Sequence, residues 1–222
     1  MKNYITFNDT LITLKGEIIS KRFILKKIDY SESKKVSKLI YDYYKELKGT
    51  GISLPKLFFH NNLDFSFEYC GDSLIEILKK NDLTESFLDD VIEQISLMLT
   101  QCAVNKVSMD PHIKNFTILN GKIYYVDTFP PVSKEYVKLL SKYNKKNKKH
   151  IIDHLNTWKP EQLRYHFLAD IKKTKGLNSK LFKKSKDYFI KFRHIRKFDE
   201  ERMNRIIKTE DTNTHRKDFT LS

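Results

Sequence analysis

The sequence predicts an α+β protein of two lobes, a small β-rich N-terminal lobe with one helix and a mostly helical C-terminal lobe. Three observations carry this. Residues 1–69 alternate short β-leaning runs with a single helical pattern, and Cys70-Gly71-Asp72 breaks that pattern. From Ser73 onward helical periodicity dominates. It is interrupted by one hairpin signal, Asn120-Gly121 between two strand-like runs, the strongest short-range sign of a tight turn. The expected units are therefore an N-terminal lobe over 1–69, a C-terminal helical lobe over 70–160 and a basic helical extension over 161–222.

The elements follow in order. Leu11-Ile12-Thr13-Leu14 and Ile18-Ile19 flank Lys15-Gly16-Glu17 as strand, turn and strand, and Arg22 to Asp29 is a third β-leaning run. In Tyr30-Ser31-Glu32-Ser33 a serine offers an N-cap. Val36, Leu39, Ile40, Tyr43 and Leu47 then recur at helical spacing, giving an amphipathic helix from Ser33 to Leu47 that Lys48-Gly49-Thr50-Gly51 ends. Leu57-Phe58-Phe59 and Phe65 to Tyr69 are strands around His60-Asn61-Asn62. Ser73 to Leu78 is a short helix. Thr84 to Val104 is a long one, with Thr84 and Glu85 at its start and Phe87, Val91, Ile95 and Leu99 on one face. Phe116 to Leu119 and Lys122 to Val126 form the hairpin, which must end at Thr128-Phe129-Pro130-Pro131 because proline cannot continue a strand. Helical patterns follow over Lys134 to Tyr143, His150 to Trp158, Glu161 to Lys173 and Lys180 to Ile207. Asn144 to Lys149 is a basic loop, and the residues from Thr209 onward carry no apolar pattern and fray. Phe182, Tyr188, Phe189 and Phe192 read as helix core rather than as a base-stacking platform.

At 222 residues, 40% apolar and 13% aromatic, the chain has enough material for a core and is not compositionally disordered. No apolar run reaches transmembrane length, and Met1-Lys2-Asn3 leads into no signal-peptide core. Cys70 and Cys102 are too few for a disulfide framework or a cysteine zinc site, so the expectation is a soluble cytoplasmic protein. Charge is unevenly placed: residues 1–131 hold 17 Lys+Arg and 17 Asp+Glu, whereas residues 132–222 hold 25 and 11 and carry the whole net charge of +14. Such a basic back end suits RNA or another polyanion as a partner through residues 134–208. The plainer explanation is lysine solvated on helix faces, in a composition rich in Lys, Asn and Ile.

The chemistry concentrates between Ser108 and Asp127. Asp110, Asn115 and Asp127 are polar residues in an otherwise apolar stretch, and the hairpin sets its Asn115 and Asp127 ends side by side. Asp110 before Pro111 would by itself be a turn former. An aspartate, an asparagine five residues on and an aspartate across a hairpin are together a set able to hold metal-bound phosphate.

With its lobes in this order, the chain resembles the protein-kinase-like superfamily. Within it the chain is similar to the aminoglycoside-phosphotransferase and choline-kinase branch and to the minimal atypical (RIO-like) kinases. The resemblance covers roughly residues 10–160, and its specificity lies in residues 106–129. It implies that Asp110 orients an acceptor hydroxyl and takes its proton, and that Asn115 and Asp127 are Mg²⁺ ligands. Lys26, or its neighbour Lys27, would grip the α and β phosphates, with Asp42 or Glu46 on the following helix as the acidic partner. The backbone of Glu68, Tyr69 and Cys70 would read the adenine edge of ATP (or the base of GTP). His112, two residues after Asp110, matches the small-molecule branch and reads as a core histidine that holds the loop. The chain departs from the pattern in three places. Gly16 is the only glycine before Gly49, so no glycine-rich loop exists; the aspartate of the loop stands in Ser108-Met109-Asp110; and Asp127-Thr128-Phe129 is followed by two prolines.

The expected function is therefore a kinase-like phosphotransferase that moves the γ-phosphate of ATP or GTP, with Mg²⁺, to a hydroxyl on a small molecule or on an RNA or ribonucleoprotein component. The alternative is a catalytically inactive kinase-like adaptor with a basic nucleic-acid- or protein-binding C-terminal region. Retention of all three polar residues speaks against the adaptor, since a scaffold needs no metal ligands.

Overall fold

An Asn-Gly turn with both residues in the left-handed region closes the hairpin that anchors the site: Asn120 has φ 50° and Gly121 φ 77°. Its strands β7 (Phe116–Leu119) and β8 (Lys122–Tyr125) pair in the register Phe116↔Tyr125 and Leu119↔Lys122. This is the backbone twist that a two-residue loop needs, which is why the sequence signal works. The computed structural model describes residues 2–5, 10–23, 28–80, 82–130, 133–143, 159–191, 199–209 and 219–220.

The molecule is α+β, with one small antiparallel sheet, one three-stranded sheet and several helices, an arrangement compatible with two lobes. The first sheet has the order β4-β5-β3-β2-β1-β9, built from β1 (Lys2–Ile5), β2 (Thr10–Lys15), β3 (Ile18–Phe23), β4 (Leu57–Asn61), β5 (Asp64–Glu68) and β9 (Phe219–Thr220). Helix α1 (Tyr30–Gly49) packs on this sheet, its Val36, Ile40 and Tyr44 meeting Phe65 and Phe67 of β5. The second sheet joins β6 (Asp72–Ser73) to the hairpin. Around it lie α2 (Leu74–Leu78), α3 (Glu85–Val104), α4 (Lys134–Tyr143), α5 (Leu163–Lys173), α6 (Ser179–Lys191) and α7 (Glu200–Thr209). The main core gathers α2, α3, α5 and α6 against Phe116, Ile123 and Tyr125 of the hairpin.

Several boundaries differ from the sequence expectation. Ile18-Ile19 and Arg22-Phe23 belong to one strand, β3, because nothing between them can turn the chain. α1 starts at Tyr30 rather than Ser33. Its cap is Asp29, whose carboxylate accepts from the Glu32 N–H at 2.8 Å, while the Ser33 hydroxyl donates to Tyr30 O. The β4–β5 turn sits at Asn62-Leu63, with Asn62 at φ 51°. The long pattern from Lys180 to Ile207 holds two helices, α6 and α7, with Asp199 outside either. Lys26, Lys27, the basic loop 144–149, the helical pattern 150–158 and Phe192 lie outside the described residues. Thr84 caps α3 as expected, accepting from the Phe87 N–H at 3.2 Å.

Gly71 links β5 to β6 and lies against β7. Its φ is +88°, and a Cβ there would stand 1.9 Å from the Ile118 carbonyl oxygen, so only glycine allows the Cys70-Gly71-Asp72 corner to lie against β7. Among the described residues, no helix is long and apolar enough to cross a membrane.

Candidate active site

The loop from Ser108 to Asn115 is held from three sides. Met109, Ile113 and Phe116 are fully buried anchors. The Asp110 N–H donates to the Tyr125 hydroxyl at 3.0 Å, and the Tyr43 hydroxyl of α1 donates to Ser108 O at 2.7 Å. The third anchor comes from α5. Asp170, buried in its apolar face, accepts the Ile113 N–H at 2.8 Å, and its other oxygen lies 3.9 Å from His112 Nε2.

Asp110 is 7% exposed. Its carboxylate accepts the His112 N–H at 3.1 Å and forms an ion pair with His112 Nδ1. Burial alone would push both groups toward neutrality; the pair reverses this. The Asp110 carboxyl is held well below the usual range, since the charge and hydrogen bonds of His112 outweigh its burial. His112 is pushed up to about 9, because Asp110 and Asp170 outweigh its burial. The buried loop therefore carries an aspartate–imidazolium pair, with His112 holding it in shape.

Asn115 sits at the end of a single 3-10 turn (Ile113–Asn115). Its side-chain N–H donates to Asp110 O at 3.2 Å and its own carbonyl accepts the Val126 N–H at 2.9 Å. The amide orientation that makes the first bond leaves the Asn115 side-chain oxygen directed away from Asp110. Asp127 follows β8 and accepts the Phe129 N–H at 3.1 Å. It is pushed up to about 6, first by burial and then by the charge of Asp110, with Lys21 opposing. The buried Asp110 and Asn115 and the half-buried Asp127 are thus brought together.

The cation at this locus is Lys21 of β3, which the sequence expectation does not contain. It is 8% exposed, donates to Val126 O at 2.5 Å, and lies over the rings of Phe67 and Phe129 at 5.3 and 5.6 Å. Burial lowers its pKa and the charge of Asp127 opposes that. The alternation Ile19, Lys21, Phe23 is the signal that would have found it, had the strand been read as continuous. Asp170 falls at the i+7 position of the apolar stripe Leu163, His166, Phe167, Asp170, Ile171, which places it on the buried face without naming its partners.

Among the described residues, Asp42 and Glu46, expected as partners of Lys26 or Lys27, form no ion pair with Lys21. Asp42 pairs with Lys38 and Lys45 of its own helix, and Glu46 is exposed. In the Glu68-Tyr69-Cys70 segment, the Tyr69 N–H donates to Glu17 O at 2.8 Å and is engaged by the β2–β3 turn. The Glu68 carboxylate accepts the Lys56 N–H at 3.2 Å, and the buried Cys70 thiol is pushed up to about 11 by burial. Part of the C-terminal charge is also internal: Lys180 and Lys184 pair with Glu85 of α3, Lys184 also with Asp89, and Lys186 with Glu200 of α7. Phe189 is core, edge-on to Phe167 at 6.3 Å.

Chemically, the donor set at Asp127 and Asn115 is one carboxylate and one amide oxygen. Among the described residues no group of three or more His, Cys, Asp or Glu forms a metal cage. Two hard oxygen ligands suit an ion that keeps waters and takes substrate phosphates as further ligands, which is the habit of Mg²⁺. Burial and the charge of Asp110 raise the Asp127 pKa, and a positive charge beside this carboxylate would oppose that rise.

The His112 pair makes a pH prediction. A histidine whose folded pKa is about 9 against an ordinary 6.5 contributes stability that is fully present below pH 6.5 and is lost as pH rises through 9. Asp127, raised from 3.8 to about 6, loses its contribution in a lower, separate window. The unfolding free energy of the wild type should fall between pH 6.5 and 9 by an amount on the order of 1–3 kcal/mol, lowering its melting temperature, and this slope should vanish in His112→Asn. Parallel melting profiles for the two proteins would contradict the pair. No protein-family model matches the chain, and no curated protein matches it either.

Proposed function

We propose that this protein is a kinase-like phosphotransferase that moves the γ-phosphate of ATP or GTP, with Mg²⁺, to an acceptor hydroxyl. The observation that supports it is the meeting of Asp110, Asn115, Asp127 and a buried Lys21, drawn from β3, the 108–115 loop and the end of β8, at one locus. Phosphoryl transfer asks little covalent chemistry of a protein; it needs positioning and charge in the right place. Asp110, kept ionised by His112, would accept the hydrogen bond of the acceptor hydroxyl and take up its proton. As the hydroxyl oxygen bonds to the γ-phosphorus, the bond from that phosphorus to the β–γ bridging oxygen breaks, releasing the nucleoside diphosphate. Asn115 and Asp127 would hold the metal through their side-chain oxygens. Mg²⁺, when bound, offsets charge on the phosphate oxygens. Lys21 would donate to a phosphate oxygen, turning from the Val126 carbonyl that it contacts here. Glu68, Tyr69 and Cys70 would border the base.

The acceptor class is a small molecule or a component of RNA or a ribonucleoprotein. The second rests on the charge of residues 132–222, of which Lys180, Lys184 and Lys186 are engaged with carboxylates. The inactive-adaptor reading is favoured by one observation, the lack of any glycine in residues 6–9 between β1 and β2, where a phosphate-covering loop would lie. Metal removal separates the two. Purified protein should turn over ATP or GTP in the presence of Mg²⁺, and excess EDTA should abolish that turnover. Absence of turnover, or turnover that survives EDTA, contradicts the phosphotransferase.

A further inference from the structure

Among the described residues, two buried hydroxyls on Thr128 and Tyr136 lack hydrogen-bond partners. Thr128 Oγ1, next in the chain to Asp127, is wholly buried and unpartnered, and so is the hydroxyl of Tyr136, a residue only 3% exposed. Leaving a buried hydroxyl unmet is costly, so these two, with the half-buried Asp127 acting on the Tyr136 phenol, point to a polar occupant.

Tyr136 reaches this place from outside the loop–hairpin unit. It lies on α4, whose Tyr136 and Val137 pack into the cluster of Val36, Ile40 and Tyr44 of α1 and Phe65 and Phe67 of β5. Lys142 at the far end of α4 pairs with Glu32 at the start of α1 at 2.8 Å, and the Tyr136 N–H donates to Ser133 Oγ at 3.2 Å, so the helix is tied at both ends. Phe67 lies under the Lys21 ammonium and shares this cluster with Tyr136. The charge of Asp127 acts on the phenol, adding to the burial that raises it. α4 thus brings a hydroxyl to the side of the locus where α1 offers no carboxylate to Lys21.

We propose that Tyr136 is a binding residue of the metal–phosphate subsite, its hydroxyl hydrogen-bonding an oxygen carried by the divalent cation at Asp127, either a metal-bound water or a phosphate oxygen. The inference rests on the phosphotransferase reading and adds to it a residue from α4. A phenol serves both sources, since it accepts from a metal-bound water and donates to a phosphate oxygen. Its role is to orient the ligands of the ion, as groups just outside a metal's direct ligands do.

The test is Tyr136→Phe, which removes only the hydroxyl and leaves the ring packed. Mn²⁺ binding is read by electron paramagnetic resonance, without nucleotide and with a non-hydrolysable ATP analogue, together with the melting temperature of the free protein. The control is Tyr44→Phe, in the same cluster, because the Tyr44 hydroxyl is satisfied by Pro55 O and the Leu57 N–H. We expect Tyr136→Phe to melt at or above the wild-type temperature and to bind Mn²⁺ about tenfold more weakly. A loss already present with Mn²⁺ alone assigns the partner as a metal-bound water, and a loss only with the analogue assigns it as a phosphate oxygen. Tyr44→Phe should lose stability and keep its Mn²⁺ affinity. Wild-type affinity in Tyr136→Phe overturns the inference and leaves the phosphotransferase standing. Absence of Mn²⁺ binding by the wild type, with or without the analogue, overturns both.

Discussion

Asp110→Asn should lower nucleotide turnover by a factor on the order of 10²–10⁴ while the protein stays folded. The substitution keeps an oxygen for the His112 N–H, which donates to Asp110 at 3.1 Å, so the loop retains its backbone bond. What it removes is the charge and the basicity. Those are the two properties that orient an acceptor hydroxyl and receive its proton. The imidazole keeps a neighbour in Asp170, 3.9 Å from its Nε2, and the second anchor of the loop, Asp170 to the Ile113 N–H, is untouched. Turnover measured beside a near-ultraviolet circular dichroism spectrum separates chemistry from folding. A variant that keeps wild-type turnover contradicts the role given to Asp110.

Lys21→Met should cost on the order of 10²–10³ in turnover, the usual consequence of removing one electrostatic donor from a water-poor site. Its effect on stability should run the other way. The ammonium is buried, and its burial is the dominant influence on it; a methionine of similar length fills the space under Phe67 and Phe129 with no charge to desolvate. The variant should therefore melt near the wild-type temperature while losing activity. Lys26→Met and Lys27→Met carry the assignment that the resemblance suggested and should stay close to wild type. Activity in Lys21→Met together with its loss in Lys26→Met would restore the original assignment and contradict the one made from β3.

How far the sequence was legible depended on the range of the interactions. The Asn120-Gly121 hairpin, the Thr84 cap and the spacing from Asp110 to Asn115 are local, governed by backbone preferences a few residues wide, and each is found in the structure. Lys21 was missed because Ser20-Lys21 was read as a gap between strands, whereas its pairing with Phe65 of β5 shows that the strand runs through. Asp170 was missed because its partners, His112 and Ile113, lie more than fifty residues away, and no periodicity encodes that contact. The choice between Asp42 and Glu46 stays open, because Lys26 and Lys27, whose partner they were expected to supply, lie outside the described residues. Both flank the apolar stripe of α1, whose Tyr43 meets the site loop at Ser108 O, and Asp42 pairs with Lys38 and Lys45. Tyr136 could not be placed from pattern alone, because an amphipathic helix tells which face is buried and not what that face meets.

The most direct measurement is a thermal melt of wild type and Asp127→Asn, with Mg²⁺ and ATP or GTP added together and singly. Asparagine preserves an acceptor for the Phe129 N–H, so the variant folds with its turn intact. Nucleotide at about a hundredfold over its dissociation constant stabilises a protein by about 2.7 kcal/mol, a rise of roughly 5–10 °C for a chain of this size. That rise is predicted for the wild type with metal and nucleotide together and not for Asp127→Asn. A wild type that shows no shift with Mg²⁺ and either nucleotide, or an Asp127→Asn protein that shifts as far as the wild type, contradicts a nucleotide-binding metal site at Asp127.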